Sequence, residues 1–244
     1  MLGYFGEKEK ERAVAVLGTS DVRFLPLDLS ASDSIAAFAA QMRGYTIDVL
    51  LSSAGVCSYN RLMLAVNFIG TVRWVAALRP LLARDARAVL VASDAHALGE
   101  IRFDDLLLRR FDSIQPSVAK VWPNQVNYGT TKLYLICYML EYLRREPGLS
   151  LHFVQPGAVN TPMGEEHAGV FLPLLRGIKR LLFKTSWEGA QTVLHVAACA
   201  KDNDLPSGGA SWANNALHTF VNKQCFDVAL QKRFFDEAKK TFNL

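Results

Sequence analysis

Residues 127–155 read NYGTTKLYLICYMLEYLRREPGLSLHFVQ. No proline interrupts 127–146, and apolar side chains fall on nearly every face of that span, the pattern of a buried helix. Pro147-Gly148 ends it. SLHFVQ at 150–155 follows, a short and largely apolar run of the kind shown by parallel strands buried on both faces. Outward from this helix–strand unit the alternation recurs. Strands are expected at 22–27 (VRFLPL), 48–53 (DVLLSS) and 88–93 (AVLVAS), with a weaker one at 208–213 (GGASWA). Helices are expected near 7–17, 31–43, 61–84, 187–200 and 226–241, with Asp33 and Ser34 able to cap the one at 31–43. Strand and helix in alternation imply an α/β fold: a doubly wound parallel sheet with helices on both faces.

The composition fits that class. Of 244 residues, 50% are apolar and 20% charged, too apolar for a disordered chain. No run of 18 apolar residues occurs, so no spanning helix is expected. MLGYFGEKEKER at the start has no apolar leader core. The four cysteines, Cys57, Cys137, Cys199 and Cys225, are widely spaced, and no N-x-[ST] sequon is present. These features point to a reducing, intracellular setting, cytoplasmic or peripheral to a membrane, rather than secretion. The net charge of +4 is matched by one stretch, FLPLLRGIKRLLFK at 171–184, which carries Arg176, Lys179, Arg180 and Lys184 and no acid. Basic residues interleaved with Leu and Phe suggest a solvated amphipathic helix over a pocket or a membrane-surface contact, not a nucleic-acid reader. The five histidines show no ligand spacing, so no metal site is expected.

A doubly wound sheet binds ligands beyond the carboxyl ends of its strands. Small or polar residues follow each strand: Asp28-Leu29-Ser30, Ser52-Ser53-Ala54-Gly55, Ser93-Asp94-Ala95-His96 and Pro156 through Thr161. Loops favour such residues anyway; the agreement of all four is harder to dismiss. Tyr128 and Lys132, four apart at the start of a helix, share a face. A nearby ammonium would lower the phenol pKa and make Tyr128 a usable proton donor and acceptor for a carbonyl or alcohol. Ser93, upstream at a buried strand end, could hydrogen-bond the substrate oxygen. Each residue alone has a plainer explanation: Ser93 as a turn serine, and Asn67, inside LMLAVNFIGTVRWV, as a satisfied core amide.

Together these residues resemble the short-chain dehydrogenase/reductase family, from about residue 8 to 244. The family's D-[LV], near the adenine, matches Asp28-Leu29, and its N-N-A-G turn matches Ser52-Ser53-Ala54-Gly55. Its V-N-x-x-G matches Val66 through Gly70, its strand-end serine Ser93, its Y-x-x-x-K Tyr128 and Lys132, and its P-G-x-V-x-T Pro156 through Thr161. The resemblance implies a catalytic tetrad of Asn67, Ser93, Tyr128 and Lys132. It implies an NAD or NADP site drawn from Asp28, Leu29, Ser53, Ala54, Gly55, Tyr128, Lys132, Pro156, Gly157, Val159 and Thr161. VASDAHALG, KTSWEGAQT and FFDEAKKTF look most like the branch of retinol dehydrogenases and WW-domain oxidoreductases, which act on retinoids, steroids or other lipid alcohols and aldehydes.

The chain also departs from the family. T-G-x-x-x-G-x-G, whose glycines admit the pyrophosphate to a helix N-terminus, has no counterpart. Measured against the family, the first strand, first helix and second strand are lacking, so 22–27 either pairs directly with 48–53 or docks apart. Ser52-Ser53 stands for paired asparagines, and only 11 residues separate Gly55 from Asn67. Asp104, Asp105, Arg109, Arg110 and Asp112 read as a solvated face within an insertion. The resemblance makes 1–244 one domain with a substrate lid near 162–187, assembled as a homodimer or homotetramer through the helix at 131–146. Trp187 reads as core. Two functions are open: an NAD(P)-dependent oxidoreductase on a small lipophilic alcohol or carbonyl, or a catalytically inactive truncated isoform or pseudoenzyme acting through protein–protein interaction.

Overall fold

The structure, a computed structural model, describes residues 1–58, 61–109, 121–163, 165, 172–198 and 209–244, with the backbone alone for 121–124. Arg110, Asp112, His167, Phe171 and Cys199 lie outside the described residues. The elements in chain order are β1 (Leu2–Tyr4), α1 (Glu7–Leu17), β2 (Phe24–Pro26), α2 (Ser32–Gln41) and β3 (Ile47–Ser52). A helical stretch follows as α3 (Leu62–Leu64), a π-helical turn at Ala65–Gly70, and α4 (Thr71–Leu78). Then come β4 (Leu82–Val91), α5 (Val121–Arg145), β5 (Ser150–Gln155), α6 (Leu172–Leu182), α7 (Ser186–Ala198), β6 (Ala210–Ala213), β7 (Ala216–His218) and α8 (Val228–Phe242).

The main sheet has the order β3-β4-β5-β6-β7, parallel except for the last pair. Successive residues face opposite sides of a strand, and both sides are covered. Ala88, Leu90, Leu151 and Phe153 join the large core with α4, α5 and α8. Val89 and Val154 join Val196 and Trp212 beneath α7. The doubly wound α/β class is therefore present, along with a hairpin absent from the sequence reading. Asn214 and Asn215, at φ 50° and 59°, close β6 onto β7 in a two-residue turn that suits asparagine.

Several boundaries moved for local reasons. The helix expected to run to residue 84 stops at Leu78, where Pro80 leads a short 3₁₀ turn, and β4 begins at Leu82. Ser34 does not cap α2; its Oγ accepts from the Asp28 amide at 2.8 Å. Trp187, read as core, lies on the surface at 70% exposure. The apolar character of 131–146 is satisfied inside this one chain: Thr130 through Met139 are at most 3% exposed. Leu62–Leu81 is long and apolar enough by composition to cross a bilayer, yet more than half of it is buried in the protein as a core helix.

The sheet is in two pieces. β2 does not pair with β3. The sequence reading placed no strand ahead of residue 22, but Leu2–Tyr4 forms one and pairs in parallel with β2. Three residues around a glycine are too few to show a period of two. β3 is an edge strand; Leu50 and Ser52 are buried, while Val49 and Leu51 are 39% and 40% exposed. Between β1 and β3 lies a slot of about 500 Å³, lined by Leu2, Gly3, Phe38, Leu51, Trp74 and others.

Phe68 organises the large core. Fully buried, it meets the rings of Tyr134, Tyr138, Phe234 and Phe242 at 5.6, 5.6, 5.8 and 5.7 Å. This ties the π-helical turn to α5 and α8. Around the same seam Glu141 pairs with Arg144 and Arg145, and Arg145 reaches Asp236 at 2.8 Å. Phe68→Ala is expected to destabilise the fold by about 3–5 kcal/mol in urea unfolding, through lost burial and a residual cavity; a loss below about 1 kcal/mol would remove Phe68 from that role.

Candidate active site

The site forms where β3, β4 and α5 meet. β4 ends at Val91, and Ser93 opens a 3₁₀ turn, Asp94–Leu98, by accepting from the Ala95 amide at 3.2 Å. His96 locks this turn. It is fully buried, one ring nitrogen lies 2.7 Å from the Ser93 carbonyl, and the other accepts from the Val221 amide at 3.1 Å. Burial holds its pKa below the usual histidine range, so it stays neutral. α5 then crosses with its backbone almost touching the turn. A Cβ on Gly129 would lie 2.1 Å from the Ala95 carbonyl oxygen. Only glycine permits that approach, and it brings the Tyr128 hydroxyl into a hydrogen bond with Ser93.

Asn67 sits in the π-helical turn, a local widening common at functional sites. Its amide is not spent on a helix carbonyl. Oδ1 accepts from the Val56 amide and Nδ2 donates to the Val56 carbonyl, both at 2.8 Å. Nδ2 also donates to Thr131 Oγ1 at 3.1 Å, and Thr131 donates in turn to the Tyr128 carbonyl at 2.7 Å. Asn67 thereby clamps the β3 loop to α5. Gly55 lies beside both groups: a Cβ there would be in ordinary contact with Lys132 Nζ at 3.4 Å and Asn67 Oδ1 at 3.5 Å.

Lys132 is buried, with Nζ donating to the Val91 carbonyl at 2.8 Å and standing 5.8 Å from the Tyr128 ring centroid. Loss of water lowers its pKa to about 8. The expected lowering of the Tyr128 pKa is not present. Burial pushes it up to about 12, against the hydrogen bond from Ser93, which pulls it down, and the neighbouring Cys57 thiol adds to the rise. Tyr128 is therefore a neutral phenol at pH 7 and stands ready as a proton donor.

Asn67, Ser93, Tyr128, Lys132 and Gly55 are thus brought together. Asp28 and Leu29 end the neighbouring β2 loop. Asp28 Oδ1 holds Ser30 through its amide and hydroxyl, and the Leu29 carbonyl abuts Gly70. Ser53 and Ala54 line the slot beside β3. Pro156 through Thr161 follow β5 on the same edge of the sheet, but their recorded bonds run elsewhere. Lys184 donates to the Pro156 carbonyl at 3.2 Å, Lys179 donates to the Thr161 carbonyl, and Val159 bridges to Lys184. Sequence reasoning missed Thr131, His96 and the Val56 backbone. It also missed Cys57, whose sulfur accepts from Gln125 at 3.6 Å, and Lys184, read there only as part of a charge stripe. Thr131 lay within the motif and His96 within the strand-end run after β4; the others carry no local signal.

Lys132 uses one of its three donors on Val91, so the buried ammonium and Tyr128 fit the nicotinamide ribose. Among the described residues the slot offers mainly apolar side chains and no run of glycine amides, so the pyrophosphate end finds no cradle there.

The Lys132 shift has a measurable consequence. Its folded pKa lies below the unfolded value of 10.5. At pH 7 both states are charged and the folded state carries the burial penalty; as pH rises through 8 the folded state sheds its proton and the penalty is relieved. The stability of the parent relative to Lys132→Met should rise between pH 7 and pH 10 by up to about 3 kcal/mol. A gap flat across that range in urea titrations would contradict a desolvated Lys132.

No family model matches the chain. Among curated proteins it is 32% identical over 211 residues to dehydrogenase/reductase SDR family member 13 of Homo sapiens, covering 81% of this chain and 53% of that one. It is 32% identical over 245 residues to retinol dehydrogenase 12 of Bos taurus, covering 95% and 73%. It is 28% identical over 243 residues to a polyprenol dehydrogenase of Mus musculus, covering 91% and 69%. The chain spans about half the length, 53%, of the first of these. Solved structures agree on the fold. Salutaridine reductase of Papaver somniferum superposes with TM-score 0.61 at 19% identity, covering 88% of this chain and 90% of that one. An alcohol dehydrogenase of Thermococcus sibiricus, complexed with 5-hydroxy-NADP, superposes with TM-score 0.50 at 20% identity, covering 75% and 82%. The chain belongs to the short-chain dehydrogenase/reductase family, in its retinol-dehydrogenase-like branch.

Proposed function

We propose that the protein is an NAD(P)-dependent oxidoreductase that interconverts a lipophilic alcohol and its aldehyde or ketone. The observation that carries this reading is the convergence of Ser93, Tyr128, Lys132 and Asn67 on one strand-end junction. Relatives named for retinol and polyprenol support a lipid-like substrate, and a neighbour complexed with 5-hydroxy-NADP supports the cofactor class. A bound nicotinamide supplies hydride in reduction and accepts it in oxidation.

The chain's own residues handle the oxygen and its proton. The Ser93 hydroxyl donates to the substrate oxygen and polarises the carbonyl. Tyr128, protonated at neutral pH, passes its proton to the oxygen as negative charge builds there. Lys132, largely charged below pH 8, favours the phenolate left behind. Asn67 and Thr131 fix the geometry. In this reading residues 1–244 form one domain, α6 belongs to a lid across about 162–187, and the protein works inside the cell as a homodimer or homotetramer.

The second reading, an inactive isoform or pseudoenzyme acting through partners, draws on the missing phosphate turn and on the exposed Val49 and Leu51 of edge strand β3. Calorimetry with NADH and NADPH separates the two. Saturable micromolar binding of either is expected, with Tyr128→Phe keeping that binding and losing about 10²–10⁴ in kcat on a lipid aldehyde. No binding up to millimolar cofactor by a folded sample would exclude catalysis by this chain.

A further inference from the structure

Helix α6 turns an apolar stripe to solvent. Leu174, Ile178, Leu181 and Leu182 recur at helical spacing on one face and are 63, 42, 83 and 77% exposed. Trp187, in the first turn of α7, adds a large exposed ring. Single exposed leucines are ordinary, whereas a contiguous apolar stripe marks an interaction surface. The other side of α6 is anchored: Lys179 is buried, donating to the Thr161 carbonyl and to Glu165, which also pairs with Arg176.

Charge selects the occupant. The segment 171–184 carries four basic residues and no acid. Glu165 answers Arg176 and Lys179. Arg180 is exposed and, among the described residues, makes no ion pair, while the Lys184 ammonium donates to the Pro156 carbonyl and Asn214 Oδ1, with Glu188 near enough to feel its charge. A second copy would bring the same positive flank to a twofold contact, and like charges would oppose each other. An anionic headgroup layer neutralises that flank while the leucines and the indole enter the acyl boundary, the arrangement of an interfacial helix.

We infer that α6 and Trp187 form a docking surface for an anionic phospholipid bilayer. Through the Lys179–Thr161 bond this surface is tied to the loop after β5, so docking places the strand-end site against the phase in which lipophilic molecules partition. The inference rests on the exposed stripe and stands whether or not the chain turns over substrate, so its test reads binding alone.

The test is co-sedimentation of the full 244-residue chain with vesicles of phosphatidylcholine alone or mixed equally with phosphatidylserine. Binding to the mixed vesicles is expected, at least about tenfold weaker on neutral ones. Trp187 emission should shift to the blue on binding, and Trp187→Phe should remove that shift. Leu181→Ser with Leu182→Ser should weaken binding about tenfold or more at an unchanged Tm, since both side chains are already in water; Arg180→Glu should act in the same direction. Three results would overturn the inference: no sedimentation with the mixed vesicles, equal affinity for both compositions, or a double variant that binds as the parent does. A concentration-dependent dimer dissolved by the double variant would assign the stripe to a second copy instead.

Discussion

Burial of α5 is the constraint on which the rest of the molecule depends. From Thr130 to Met139 every side chain is at most 3% exposed. The helix can rotate or slide only by opening the core around Phe68. Desolvation is what moves the two titratable site groups on this helix, Lys132 down and Tyr128 up. One packing decision thus fixes both the position and the protonation state of the proposed proton donor. Gly129 lets that helix touch the Ser93 turn, so a missing Cβ matters as much here as any functional group.

The N-terminal part is held differently. β1 and β2 share no hydrogen bonds with the main sheet. Side chains carry the connection: Phe38 of α2 packs on Trp74 of α4 at 6.2 Å, and Arg73 donates to Ser32 and to the Phe242 carbonyl. Trp74 Nε1 is buried without a hydrogen-bond partner beside the slot, a desolvated donor left unmatched. The protein therefore joins a tightly packed half, where Asn67, Ser93, Tyr128 and Lys132 converge, to a half whose sheet is interrupted. The proposed carbonyl polarisation draws on the first half alone, and the proposed dinucleotide site on both.

α6 shows how a charge pattern acquires meaning from packing. In sequence the four basic residues of 171–184 look alike. In the fold, Lys179 is a buried anchor, Arg176 is answered by Glu165, Lys184 braces the loop after β5, and Arg180 remains on the surface beside four exposed apolar side chains. The same helix thus anchors a site loop on one side and presents an apolar stripe on the other.

The alternation of short apolar runs with longer helices was enough for the sequence to determine the α/β class. Spacing and strand-end position drew attention to Tyr128, Lys132 and Ser93, because a helix places residues four apart on one face and a doubly wound sheet presents its strand ends to a ligand; the family resemblance joined Asn67 to them as one site. Other features were decided only in three dimensions. The partners of Asn67 lie 11 and 64 positions away, at Val56 and Thr131. The Tyr128 pKa rose where spacing implied a fall, because the cost of burial outweighs the hydrogen bond with Ser93. Trp187 went to the surface although its apolar character suggested core. Local sequence encodes period and residue type; dielectric, long-range hydrogen bonds and which face of a helix meets water belong to the assembled core, and only tertiary packing sets them.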